Sequence, residues 1–180
     1  MKSIAILGTI IVIILSGCRY CSNKTTTNVD SGFNNDIVIK GESMSPTFHD
    51  GERLVILNEK GEYQKGDILV LNCKGLNETI IKRCIGTGGD KIRINYNENS
   101  VEVNGKLLSN DYIKEPMKDK ATYNQIYCIS NGVYEYSVPD GKFFVMGDNR
   151  NGSSDSRSSF VGFISEEDVL GKVVVENENK

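Results

Sequence analysis

The chain has 180 residues, 38% hydrophobic and 25% charged, which suits one ordinary globular domain and argues against a disordered protein. Its net charge is −3, and because Lys2, Arg19 and Lys24 face only Asp30 in the first 35 residues, the body is more acidic than the whole. An acidic body without a basic cluster argues against nucleic-acid binding, and a lone His49 without paired CxxC units cannot make an ordinary zinc centre.

Residues 1–17 form a hydrophobic segment. After Met1-Lys2-Ser3 comes the apolar run Ile4–Leu15, broken only by Gly8 and Thr9. As a helix it would span about 18 Å, short of a hydrocarbon core of roughly 30 Å. Two readings stand: a short, uncleaved single-pass anchor, or a secretory signal core in which Leu15-Ser16-Gly17-Cys18 acts as a bacterial lipobox and Cys18 is lipidated. Either one places the protein on the cytoplasmic membrane, with membrane lipid as a partner and the body on the extracytoplasmic side. Residues 18–35 are polar and aperiodic and read as a linker.

Residues 36–180 read as one mainly β, largely antiparallel domain. Strands are expected at Ile37–Ile39, Arg53–Leu57, Asp67–Leu71 and Thr79–Ile85, then at Lys91–Tyr96, Val101–Val103, Lys106–Leu108 and Phe143–Met146. Asn104-Gly105 is a strong hairpin signal. Only Ser165–Leu170 suggests a helix, with Ser165 as N-cap and Asp168 at N3. Residues 109–140 read as an excursion of loops and short strands.

Of the five cysteines, Cys18 and Cys21 precede the body, while Cys73, Cys84 and Cys128 lie in it, so at least one thiol there is unpaired. If Lys74–Asn77 turns a hairpin, Cys73 lies opposite about residue 78, and Cys84 lies roughly 17 Å further along. A Cys73–Cys84 disulfide does not fit that geometry.

Three strings carry chemistry: Gly41-Glu42-Ser43-Met44-Ser45-Pro46-Thr47, Ile81-Lys82-Arg83-Cys84-Ile85-Gly86, and Gly147-Asp148-Asn149-Arg150-Asn151-Gly152-Ser153-Ser154-Asp155-Ser156-Arg157. A serine hydroxyl needs a base to become a nucleophile. His49 stands only six residues from Ser43 and reads as a turn or surface residue. Lysine can serve if burial lowers its pKa. On a strand, Lys82 shares one face with Ile80 and Cys84, an apolar setting in which a charged amine is costly; the alternative is an edge lysine that snorkels to solvent. In the third string, Asp148, Arg150, Asp155 and Arg157 can brace a polar loop through salt bridges among themselves. A Ser153 hydroxyl near Lys82 could orient the amine.

In order and spacing the three strings resemble the type I signal peptidases, and the resemblance extends through Gly66–Val70, Val103–Leu107 and Val138–Val145, covering about residues 37–175. It implies a membrane-bound serine endopeptidase with a largely antiparallel β fold. Ser43 would be the nucleophile, Lys82 the general base and Ser153 the hydroxyl that positions Lys82, with Asp155 and Arg157 as support. It implies preprotein substrates with small residues before the cleavage site, bounded by Ile37, Ile39, Met44 and Ile81, no metal or other cofactor, and the secretion machinery as a partner. Some members carry a serine two residues before the nucleophile; here Gly41 stands there, so an oxyanion hole would rest on backbone N–H groups, including that of Ser43. Three other readings remain: a peptidase dedicated to one partner such as a pilin or conjugation protein, a catalytically inactive anchored lipoprotein, and a self-cleaving repressor, for which residues 1–35 offer no DNA-binding region.

Overall fold

The structure is a computed structural model and describes residues 34–57, 61–118 and 123–174. The hydrophobic segment, the lipobox and nearly all of the linker lie outside the described residues.

Among the described residues twelve strands follow in chain order: β1 (Asn34–Val38), β2 (Arg53–Leu57), β3 (Ile68–Cys73), β4 (Glu78–Thr87), β5 (Lys91–Asn95), β6 (Ser100–Val103), β7 (Lys106–Leu107), β8 (Cys128–Ser130), β9 (Val133–Ser137), β10 (Lys142–Met146), β11 (Ile164–Ser165) and β12 (Val169–Val173). All pairings are antiparallel. A seven-stranded sheet runs β1-β2-β12-β3-β4-β10-β11, and a five-stranded one runs β7-β6-β5-β9-β8.

β3 is the centre of the larger sheet. Its run Ile-Leu-Val-Leu is apolar without alternation because both faces are covered. Leu69, Leu71 and Cys73 pack with Ile80, Cys84, Phe143 and Val145 on one side. Ile68 and Val70 join Ile39, Met44, Ile56 and Val173 on the other. Each fully buried leucine contributes about 1.5–3 kcal/mol. A third cluster links the two sheets, bringing Ile92, Ile94, Val101 and Tyr134 against Ile85, Phe144 and Met146.

The β3–β4 hairpin has the expected register, with Cys73 opposite Glu78, and Cys73, Cys84 and Cys128 are all free thiols. Asn104 and Gly105 turn β6 into β7, both in the left-handed region at φ 52° and 76°.

Two expectations are corrected. Ser165–Leu170 is not a helix: Glu166–Asp168 makes one 3₁₀ turn, and Val169 is already extended and paired with Leu71. The Ser165 hydroxyl accepts from the Lys142 amine at 2.9 Å instead of capping, and the Asp168 carboxylate meets the Lys74 amine at 2.8 Å. β-branched Val169 and Val173 fit a ladder better than a helix. Residues 109–140 are also more than an excursion, since β8 and β9 complete the smaller sheet against β5.

Candidate active site

Ser43 follows β1 in a turn that packs Met44 into the core. Lys82 lies mid-way along β4, paired with Leu69 and alternating with buried Ile80 and Cys84. The fold therefore places a lysine on an apolar face, and only 3% of it is exposed. Its Nζ lies 2.8 Å from Ser43 Oγ and 2.8 Å from the Ile81 carbonyl oxygen. Burial holds the Lys82 pKa below the ordinary lysine value; the charges of Asp155 and Asp148 pull upward without cancelling that effect.

The third string folds against both residues. Asn149 N–H donates to the Ser43 carbonyl at 3.1 Å, and Asn149 Nδ2 donates to the Glu42 carbonyl at 3.1 Å. Asp148, fully buried, accepts from Arg83 Nε at 2.9 Å and Nη2 at 2.6 Å, and from the Thr47 hydroxyl. One carboxylate thus joins the turn after Ser43 to the residue next to Lys82. Gly147 is needed here for close approach: a Cβ would collide with the Ser43 carbonyl oxygen and the Ser153 hydroxyl.

The salt bridges within the loop are only half as expected. Asp155 and Arg157 form a fully buried pair, with Nε–Oδ1 at 2.7 Å and Nη2–Oδ2 at 2.8 Å, and Arg157 also donates to the Arg150 carbonyl at 2.6 Å. Burial alone would raise the Asp155 pKa, but Arg157 and the Gly147 N–H hold it below the usual carboxylate value. Asp148, by contrast, pairs with Arg83 and not with Arg150. Arg150 instead lies beside Tyr112 and Met117, with Nη2 at 3.5 Å from the Tyr112 hydroxyl. The Tyr112 ring also carries the Arg83 guanidinium, 4.5 Å from its centroid.

Ser153 lies beside Gly147, and its hydroxyl makes no hydrogen bond to Lys82; the Ile81 carbonyl accepts one from the Lys82 amine. Ser153 Oγ meets no partner at standard geometry, though it is near enough to Asp155 to help keep that carboxylate ionised. His49 is half exposed and bonds Glu42 at 3.0 Å, turned to solvent.

Ser43 and Lys82 open onto a cleft of about 850 Å³, and Ile37, Ile39, Met44 and Ile81 all line it. Ile39 and Met44 are at the same time buried core residues, so for them packing and cleft wall are one role. One wall is the chain from Ile37 to Lys40, and the other is the first half of β4. β10 pairs with β4 only from Arg83 onward, so among the described residues Glu78–Lys82 has no strand on its second edge. The Ser43 N–H makes no hydrogen bond among the described residues. No group of side chains with metal-binding geometry occurs among the described residues.

Sequence reasoning missed Arg83, Thr47, Asn149 and the Ile81 carbonyl as parts of the site. The first three stand inside the strings that flagged it. A backbone carbonyl leaves no mark in a sequence.

The family model described as "Signal peptidase, peptidase S26" matches residues 25–176. The chain is 36% identical over 137 residues to a signal peptidase I of Bacillus licheniformis, covering 74% of this chain and 71% of that one. It is 38% identical over 145 residues to a signal peptidase IB of Staphylococcus aureus, covering 75% and 73%. Among solved structures it is similar to a signal peptidase I from Enterococcus faecalis, at 27% identity and a TM-score of 0.48, over 64% of this chain and 98% of that one.

Proposed function

The chain belongs to the signal peptidase family S26, and from that premise we propose that it cleaves N-terminal signal peptides from secreted preproteins, with Ser43 as nucleophile and Lys82 as general base. It is a hydrolase of the signal peptidase I type. The observation that carries the assignment of roles is the 2.8 Å separation between a buried lysine amine and a serine hydroxyl at the mouth of a cleft.

Burial favours neutral Lys82, whose lone pair can accept the Ser43 proton. Ser43 Oγ then bonds to the scissile carbonyl carbon. The developing oxyanion is met by the unengaged Ser43 N–H. As the C–N bond breaks, the Lys82 ammonium returns the proton to the leaving amine. Water, deprotonated by the same amine, releases the acyl chain. The Ile81 carbonyl aims Lys82 during both proton transfers.

The free edge of β4 supports an extended substrate that adds as a strand. Bulky Ile37, Ile39, Met44 and Ile81 leave shallow room beside it, which favours small residues before the cut. In this reading the N-terminal region, as an uncleaved 1–17 anchor or as a lipidated Cys18 left after cleavage, holds the domain at the outer face of the cytoplasmic membrane. There it meets preproteins leaving the secretion machinery.

The test is full-length protein in detergent, incubated with a panel of preproteins, with N-terminal sequencing of the products. Ser43→Ala and Lys82→Ala each abolish cleavage, the double variant is no worse than either, and His49→Ala stays active. Turnover by folded Lys82→Ala, or cuts that do not follow small residues, would overturn the assignment. Cleavage of a single preprotein would indicate a dedicated peptidase, and no cleavage at all an inactive lipoprotein.

A further inference from the structure

The cleft walls mix aliphatic side chains with a few polar ones, and charged groups among them are few. Besides Lys82, the charged side chains lining the cleft are Lys40 and Glu78. Lys40 stands three residues before Ser43, on the Ile37–Lys40 side of the cleft. Glu78 is the first residue of β4, four positions from Lys82, which on a strand is about 13 Å. Both are exposed, and neither makes an ion pair or side-chain hydrogen bond among the described residues. By alternation Glu78 leaves β4 on the same side as Ile80 and Lys82. It sits on the stretch of β4 whose outer edge no strand covers. Glu78 is therefore the one acidic side chain along the described lining of the channel, and it lies away from the dyad.

We infer that Glu78 is a specificity-determining residue, which selects substrates carrying a cationic side chain four to five residues before the cleaved bond. The inference rests on the peptidase reading, in which the segment before the cut lies along Glu78–Lys82. A substrate strand rises at the same pitch as β4, so a residue level with Lys82 at the cut has its fourth or fifth predecessor level with Glu78. A lysine or arginine there meets an unpaired carboxylate. An acidic residue meets repulsion. Glu78 does not act on the reacting atoms; it sets which chains lie in the channel.

The test uses full-length protein in detergent and peptides that share small residues before the cut and differ only at the fifth position before it, as Lys, Gln or Glu, with a second set varied at the fourth. Ratios of kcat/KM within one preparation cancel differences in active fraction. For the wild type, Lys exceeds Gln by about 2–5-fold, the range of an exposed ion pair, and Gln exceeds Glu. Glu78→Gln removes the ranking, and Glu78→Lys inverts it. The wild-type preference shrinks as salt rises from low to about 0.5 M. Equal Lys, Gln and Glu rates in both sets, from an active enzyme, overturn the inference and leave the peptidase reading standing. A ranking that persists in Glu78→Lys also overturns it. Failure to cleave any peptide overturns the peptidase reading, and this inference with it.

Discussion

Gly147→Ala tests whether the catalytic geometry depends on the close approach of the third string to Ser43. Gly147 is not held to glycine by its backbone dihedral; space alone demands it. An added methyl would strike the Ser153 hydroxyl, which can rotate away, and the Ser153 Cβ and Ser43 carbonyl oxygen, which cannot. Relief requires the chain at Ser43 and the 147–149 segment to part by a distance on the order of 1 Å, a misplacement that lowers rates roughly 10²-fold. The same movement stretches the 3.1 Å bond from Asn149 N–H to the Ser43 carbonyl and the 3.0 Å bond from Gly147 N–H to Asp155. Overpacking of this kind costs about 1–3 kcal/mol. At about 2–4 °C per kcal/mol for a domain of this size, Tm falls by about 2–12 °C. The assay pairs kcat/KM on a small-residue peptide with thermal unfolding followed by circular dichroism. Activity within about threefold of wild type, at an unchanged Tm, would refute the reasoning.

Activity should rise with pH, because burial holds the Lys82 pKa below its unfolded value and only the neutral amine accepts the serine proton; a kcat/KM profile that is flat or falls across the alkaline limb contradicts this. The sign for stability is the same. Between the folded and unfolded pKa values the unfolded chain binds the extra proton, so Lys82's contribution to stability grows with pH across that window. Lys82→Met should remove that slope and raise stability near neutrality while abolishing turnover, as read from urea midpoints over the pH range. Asp155→Ala should cost about 3–5 kcal/mol by stranding a fully buried Arg157, and a loss under about 1 kcal/mol in urea denaturation would show that the pair is not structural.

Strands were legible where alternation or a turn marked them. Arg53–Leu57 and the Asn104-Gly105 hairpin stand where the pattern placed them. β9 was not legible, because its pairing with β5 joins residues some forty positions apart and no local turn announces it. The Ser165 segment misled for the opposite reason. Its local signals, a cap residue followed by three acids, are helical, but pairing of Val169 with Leu71 prevails. At the site, the apolar neighbours of Lys82 were visible from strand parity alone. The hydrogen bond from its amine to the Ile81 carbonyl was not, because a main-chain oxygen leaves no mark in a sequence.

The bare edge of β4 also bears on solubility. An exposed strand edge is a template on which other chains can pair and aggregate. Here the unpaired stretch lies inside a channel, faced by the Ile37–Lys40 segment on the opposite wall. Such a slot admits a single extended chain and denies entry to the broad edge of another sheet. The arrangement keeps the edge open to unfolded chains in transit while shielding it from folded neighbours. A variant that widens the slot from the Ile37–Lys40 side should therefore clump before it unfolds.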